Sequence, residues 1–243
     1  AQFLPRESDP RAGTYDYVEL SRLEVTIIGE SREDVWVDGG SHAAFTLDDC
    51  ALTLSGLSLT GSESASGGAT PLVALESTVT LTDITVEGSA AGGPGVAGML
   101  FKDSDVVISD AEFVDNELTH YVIEATGGSF ALSHTRFHGT AVPSSASFGG
   151  MVLNLYDIEA EVSNNLFYDN AASSGGIISQ FYPKSHTQWV YNNVWYGNSN
   201  SGEPIVYVED GVRFENNIVY NPGSAGVDYS GASTVLQYND VYG

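Results

Sequence analysis

EVSNNLFYDN (161–170), WVYNNVWYGN (189–198) and RFENNIVYN (213–221) are three copies of one phrase. Each has a strand-like lead, an Asn pair, two or three large apolar or aromatic residues, and a closing Asn. A worn fourth copy, LQYNDVYG, occupies 236–243. Self-similarity at a near-fixed spacing marks a repeat architecture, in which one unit cannot bury its own apolar face and neighbours bury it together.

The rhythm extends backwards from there. The apolar residue just before each turn falls at Leu59, Val86, Phe113, Phe137, Phe167, Trp195, Val219 and Tyr242, at spacings of 23 to 30 residues. Each period holds short strands such as Leu72–Leu75, Val79–Leu81 and Ile84–Val86, separated by Gly, Ser, Asn and Asp, with no stretch of helical period. This predicts an all-β, single-stranded parallel β-solenoid of about eight coils. At about 4.8 Å per coil the rod is roughly 38 Å long. Three residues before the markers stand Gly56, Asp83, Asp110, His134, Asn164, Asn192, Asn216 and Asn239. The last four predict a structural ladder of Asn side chains, bonded along the rod and to the turns. Length variation concentrates in Gly/Ser/Ala/Pro-rich insertions at 61–71, 88–98 and 139–150, expected to be surface loops. Residues 1–12 read as an irregular arm and 13–243 as one domain. The start at Ala1 and the finish on a repeat without a polar cap are expected of part of a longer chain.

The chain has 243 residues, 42% of them hydrophobic, enough for one sizeable core. Lys plus Arg is 8 against 32 Asp plus Glu, a formal net charge of -24. Such a balance excludes nucleic acid, whose phosphates need a basic footprint, and opposes docking on an anionic membrane. No apolar run approaches the ~20 residues of a membrane helix, so this segment is not membrane-inserted. The one cysteine, Cys50, lies in the run TLDDCALTL and reads as a small buried hydrophobe.

GTYDYVELSRLEVTIIGESREDVWVDGG (13–40) resembles the opening coil of bacterial right-handed parallel β-helix proteins of the pectin-lyase-like superfamily. Phe113-Val-Asp-Asn116, Phe167-Tyr-Asp-Asn170, Gly149-Gly-Met-Val152 and Gly175-Gly-Ile-Ile178 resemble the repeats of chlamydial-type polymorphic outer-membrane proteins, and Trp195-Tyr-Gly-Asn198 is a near match. The resemblance covers residues 13–243. It implies a right-handed coil and an extracellular or cell-surface bacterial location. For catalytic relatives it implies an Arg or Lys base beside Asp/Glu-bound Ca²⁺, or the paired-Asp and Gly-His-Gly motifs of polygalacturonase-like hydrolases.

Those marks are not found. Asp48-Asp49 is an isolated pair in a strand, and His138-Gly139-Thr140 lacks the leading Gly. No catalytic residue is assigned. Asp103, Asp105 and Asp110 lie within one coil and are candidate ligands for a structural calcium, set against plain surface acidity. No other cofactor is expected. Aromatic residues crowd 181–220, and Tyr168, Tyr196 and Tyr220, each following a marker, should stack at one turn position. Facing outward, such a row could grip sugar rings or a protein; otherwise it is a stabilising ladder. The expected function is a non-enzymatic extracellular β-helix segment of a bacterial surface or secreted protein, serving adhesion, stalk or recognition, with a protein or glycan partner. The alternative is a polysaccharide lyase or hydrolase, or a carbohydrate-binding module, of the same superfamily.

Overall fold

The computed structural model describes residues 14–15, 18–40, 42–60, 70–89, 97–117, 120–142, 151–172, 177–200, 202–221 and 225–242. The N-terminal arm and most of the three insertions lie outside the described residues.

Each coil lays one short strand on each of three faces. On the first face Val18–Ser21, Phe45–Asp48, Leu72–Leu75, the leading parts of Ala97–Ser109 and Tyr121–Ser133, Met151–Tyr156, Ile177–Tyr182, Val206–Val208 and Val227–Tyr229 pair in succession, all parallel. The second face runs from Glu24–Ile28 through the trailing parts of Ala97–Ser109 and Tyr121–Ser133 to Glu159–Ser163, Gln188–Tyr191, Val212–Glu215 and Val235–Gln237. The third begins with Thr14–Tyr15 and Trp36–Asp38 and continues through Glu112–Val114, Arg136–His138, Leu166–Tyr168, Val194–Tyr196, Ile218–Tyr220 and Asp240–Tyr242. The chain is a parallel β-solenoid. Its coil count departs slightly from the eight expected, because the stack includes strands ahead of the first marker, Leu59. Among the described residues no helix is long and apolar enough to cross a membrane.

A strand turns onto the next face at single residues of positive φ. Between the first and second faces these are Arg22, Asp49, Glu76, Asp103, Asp157 and Lys184; between the second and third, Asp83, Asp110, His134, Asn164, Asn192, Asn216 and Tyr238. Asp115 and Asp169 do the same after the third face. Asp and Asn predominate because a short polar side chain tolerates the left-handed region. Gly56, at φ 64°, holds the equivalent corner where it packs on Gly29; a Cβ on Gly29 would lie 2.1 Å from the Gly56 carbonyl oxygen.

The middle residue of each third-face strand points inward. Val37, Leu59, Val86, Phe113, Phe137, Phe167, Trp195 and Val219 form one buried file. Its rings lie nearly parallel: Phe113 to Phe137 at 4.6 Å, Phe137 to Phe167 at 4.7 Å and Phe167 to Trp195 at 5.1 Å between centroids. Trp195 Nε1 donates to Ser179 Oγ on the first face at 3.0 Å, so the one polar atom in this file is satisfied.

The end of the file differs from expectation. Val219 pairs with Val241 and Tyr220 with Tyr242, so Val241, not Tyr242, continues the file. In the last copy Tyr238-Asn239 replaces the Asn-Asn pair, and counting back from Tyr242 therefore lands one residue too far along. Asn239 belongs to a different file from Asn164, Asn192 and Asn216.

That second file is buried. Thr135 N donates to Asn165 Oδ1, Asn165 N to Asn193 Oδ1 and Asn193 N to Asn217 Oδ1, each at 2.9 Å, and Asn217 N to Asn239 Oδ1 at 2.8 Å. Each Asn Nδ2 donates back to a carbonyl of the preceding coil: Asn165 to Leu132, Asn193 to Val162, Asn217 to Val190 and Asn239 to Phe214. A third file runs past the next corner. Asn116, Asn170 and Asn198 accept from Ser89 N, Thr140 N and Asn170 N, and donate to the carbonyls of Val86, Phe137 and Phe167. This gives the Phe-x-x-Asn phrase its physical meaning. The Phe fills the core, and the Asn three residues later serves the backbone of the coil below, where an unpaired amide or carbonyl would be costly. Cys50 is 6% exposed and its N–H donates to Ser77 Oγ, while Ser77 N donates to Ser104 Oγ. A short serine file thus serves the corner between the first and second faces in the early coils.

Candidate functional site

The outward side chains of the third face form a grid. One column holds Asn164, Asn192 and Asn216; the next Leu166, Val194 and Ile218; the last Tyr168, Tyr196 and Tyr220. None of these nine carries a formal charge, in a chain of net charge -24. Charged groups flank the grid. Below it, Glu112 pairs with Arg136 at 3.5 Å and with His138 at 3.0 Å; above it stands Asp240. A shallow hollow of about 410 Å³ opens beside Asn192, Val194, Asn216, Ile218, Tyr238 and Asp240.

Tyr168, Tyr196 and Tyr220 do occupy one turn position, in register with His138 below and Tyr242 above. His138 stacks on Tyr168 at 4.7 Å and 14°, Tyr196 on Tyr220 at 5.5 Å and 16°, and Tyr220 meets Tyr242 at 6.2 Å. The stack is in two pairs, His138 with Tyr168 and Tyr196 with Tyr220; within each pair the facing ring surfaces are used on each other. Tyr196 is 54% and Tyr220 42% exposed. The outer Asn file is bonded along the rod as well: Asn192 Nδ2 donates to Asn164 Oδ1, and Asn216 Nδ2 to Asn192 Oδ1. The result is a flat, stiff, uncharged lattice of hydroxyls, amides and aliphatic groups, repeating at rung spacing. It suits hydrogen bonding and apolar contact.

The candidate calcium ligands do not converge. Asp103 turns the corner between first and second faces, and Asp110 the corner between second and third. They lie seven positions apart along the strand, roughly 20 Å at about 3.3 Å per residue. Asp105, between them, accepts a hydrogen bond from Ser129 Oγ at 2.7 Å. Among the described residues no three His, Cys, Asp or Glu side chains gather where they could hold a metal ion.

The second face is charged and internally paired. Arg213 lies over the Trp189 ring at 5.2 Å and pairs with Glu215 at 2.9 Å, while Trp189 Nε1 donates to Glu215 Oε2. Tyr191 Oη donates to Glu161 Oε1 at 2.5 Å, and that bond holds the Tyr191 hydroxyl above its ordinary pKa.

On the first face lies a file absent from the sequence-based candidates. Glu124, Asn154 and Gln180 stand in register on adjacent coils. Each interrupts an apolar strand, in VIEA, VLNLY and IISQFY. The signal was available: Glu124 and Asn154 each lie 13 residues before their marker, Phe137 and Phe167. Burial raises the Glu124 carboxyl above the usual carboxylate range and, as the larger cause, raises Tyr121, to which the Glu124 charge adds.

No protein-family model matches the chain, and no curated protein matches it. Among solved structures it is similar to PfbA, a surface adhesin of Streptococcus pneumoniae, with TM-score 0.44 and 11% identity over 97% of this chain and 74% of that one. It is also similar to the periplasmic alginate epimerase AlgG, with TM-score 0.23 and 12% identity over 94% and 70%. A third is the catalytic unit of a GH87 α-1,3-glucanase from Streptomyces thermodiastaticus, with TM-score 0.25 and 13% identity over 95% and 62%.

Proposed function

We propose that the chain is a non-catalytic recognition segment of a bacterial surface or secreted protein, and that its third face binds a neutral, hydroxyl-rich glycan. One observation carries this reading: the nine-residue block from Asn164 to Tyr220 without a charge, on a chain with 32 acidic residues. A neutral block on so acidic a chain disfavours anionic ligands through the surrounding field. Phenol hydroxyls and carboxamides each donate and accept, which matches hydroxyl groups. Tyr196 and Tyr220 stack on each other, which holds those two rings beforehand and lowers the side-chain entropy lost on binding.

Glycan-array binding followed by titration of Tyr196→Phe and Tyr196→Ala tests it. The phenylalanine variant keeps the ring and removes the hydroxyl. Weakening in both variants supports the hydroxyl lattice, whereas a ligand that ignores both overturns it. The same glycans are assayed for new unsaturated or reducing ends; turnover would replace the recognition reading with the lyase or hydrolase alternative.

A further inference from the structure

Val107, Ala131, Glu161, Trp189 and Arg213 stand in register on successive coils of the second face. Val107 is 46% and Trp189 40% exposed. Between them opens a hollow of about 310 Å³, lined by Val107, Ala131, Glu159, Glu161, Thr187 and Trp189 among others. Arg213 lies over the Trp189 ring from the coil above and pairs with Glu215. The hollow is on the other side of Trp189, toward the coils below. There an aromatic ring and carboxylates recur without a cation. Glu161 stands directly below Trp189 and accepts from Tyr191, and Glu159 is exposed. Among the described residues no Lys, Arg or His pairs with either carboxylate. The cations of the Trp189 coil, Lys184 and His186, lie against Asp157 instead, at 3.4 and 3.8 Å.

We propose that this hollow docks an arginine side chain of a protein partner, with an aliphatic neighbour of that arginine resting on Val107 and Ala131. The incoming guanidinium lies against Trp189 on the side opposite Arg213 and donates to Glu161 and Glu159. Arg213 shows, within the same molecule, the arrangement such a group takes: the Trp189 ring at 5.2 Å and a carboxylate at 2.9 Å. Two guanidinium groups on one ring are kept compatible by separate carboxylates, Glu215 for Arg213 and Glu161 with Glu159 for the other. Arginine fits better than lysine because its planar group stacks on a ring and forks onto carboxylates at the same time. The net charge of -24 draws a basic partner toward the chain, and the apolar lining then selects one whose arginine has aliphatic company. This site is on a different face from the neutral Tyr and Asn lattice and does not rest on it.

The test follows the indole N–H signals of the intact, nitrogen-labelled chain by NMR. The probe is the acetylated and amidated peptide Val-Thr-Arg-Thr-Val, whose arginine and valines share one side when extended. The chain has three tryptophans, and Trp189→Phe identifies the signal of interest by its loss. The peptide should shift the Trp189 signal saturably below about 10 mM and leave that of the buried Trp195 in place. The same peptide with citrulline for arginine keeps the shape and loses the charge, and should bind about tenfold more weakly or not at all. Glu159→Gln combined with Glu161→Gln should weaken the arginine peptide about fivefold or more. Glu24→Gln removes an equally exposed charge five rungs below Glu159, about 24 Å away, and should change nothing at 0.15 M salt, where screening sets in at about 8 Å. Tyr196→Ala should also change nothing, which separates this site from the third-face reading. Should the double variant not fold, Glu159→Gln alone, which removes no bond among the described residues, should still weaken binding about twofold. The proposal is overturned if the Trp189 signal does not saturate, if the citrulline peptide binds as tightly, or if the folded glutamate variants bind as wild type does. It is equally overturned if Glu24→Gln weakens binding as much as they do, since the field of the whole chain would then be the only attraction.

Discussion

Replacing Asn193 by leucine should lower stability, and the amount follows from the hydrogen bonds removed. Asn193 Oδ1 is the acceptor for the Asn165 backbone N–H at 2.9 Å and for Asn165 Nδ2 at 3.0 Å. Its Nδ2 donates to the carbonyls of Val162 and Tyr191, at 2.9 and 3.0 Å, and to Asn217 Oδ1 at 3.1 Å. Leucine strands the buried Asn165 N–H, at about 1–3 kcal/mol, and removes two bonds to carbonyls at about 0.5–1.5 kcal/mol each. The Asn165 and Asn217 side chains keep other partners, Leu132 O and Asn193 N. Leucine returns about 1–2 kcal/mol by burying apolar atoms. The balance is a loss of about 1–4 kcal/mol, and each kcal/mol is worth about 2–4 °C in melting temperature for a chain of this length. Differential scanning calorimetry reads this directly. The exposed Asn192, at φ 57°, is the control: Asn192→Gly keeps the left-handed corner at no steric cost and should melt within about 2 °C of wild type. An Asn193→Leu protein as stable as wild type, or no less stable than Asn192→Gly, would refute the claim that the inner file closes each coil onto the next.

Phe167→Ala should cost about 3–5 kcal/mol, since its ring is held on both faces, at 4.7 Å by Phe137 and 5.1 Å by Trp195, and chemical denaturation would show it as a lowered midpoint. Glu124→Gln should alter the pH dependence of stability in one direction. The folded Glu124 binds its proton more tightly than the unfolded chain does, so its contribution falls as pH rises from the usual carboxylate range into the raised folded value. The glutamine variant should therefore gain on wild type near pH 7 but not near pH 4, read as the difference between the two melting curves; equal differences at both would remove the burial effect. With Asp103 and Asp110 at different corners, excess chelator should leave the melting temperature unchanged to about 1 °C, and a larger fall would reinstate a structural cation.

The architecture was legible because its evidence is repeated. A marker file of Phe137, Phe167 and Trp195 needs only a period and an apolar residue to be read, and the register pairs them as the spacing requires. The error at the chain's end shows the limit of that method. The last period is a residue shorter than counted, and a one-residue slip moves a side chain to the other face. Asn239 therefore went to the outer file when it belongs inside. The Asn-Asn pairs hid a division of labour for the same reason: identical letters at adjacent positions take opposite environments, the first turning the corner in the open and the second serving buried backbone. The Tyr row shares one register, but spacing carries no information about ring orientation or about which neighbours stack. Asp103, Asp105 and Asp110 are near in sequence, but nearness in sequence is distance along an extended strand, so spacing alone does not bring them together.

A solenoid makes most of its side chains answer to the rungs above and below. Asn165, Asn193 and Asn217 bond along the axis, Phe137 and Phe167 stack along it, and even the exposed Asn192 and Asn216 do so. A side chain that bonds axially has its geometry set by the coil repeat, and its polar capacity is largely spent. Capacity for a ligand is then concentrated where the axial pattern lapses. On the third face Tyr196 and Tyr220 stack through their faces and leave their hydroxyls over. Because neighbouring coils hold these groups in register, a ligand bound there would meet groups already in place, and its affinity would be limited by the chemistry presented rather than by the cost of assembling it.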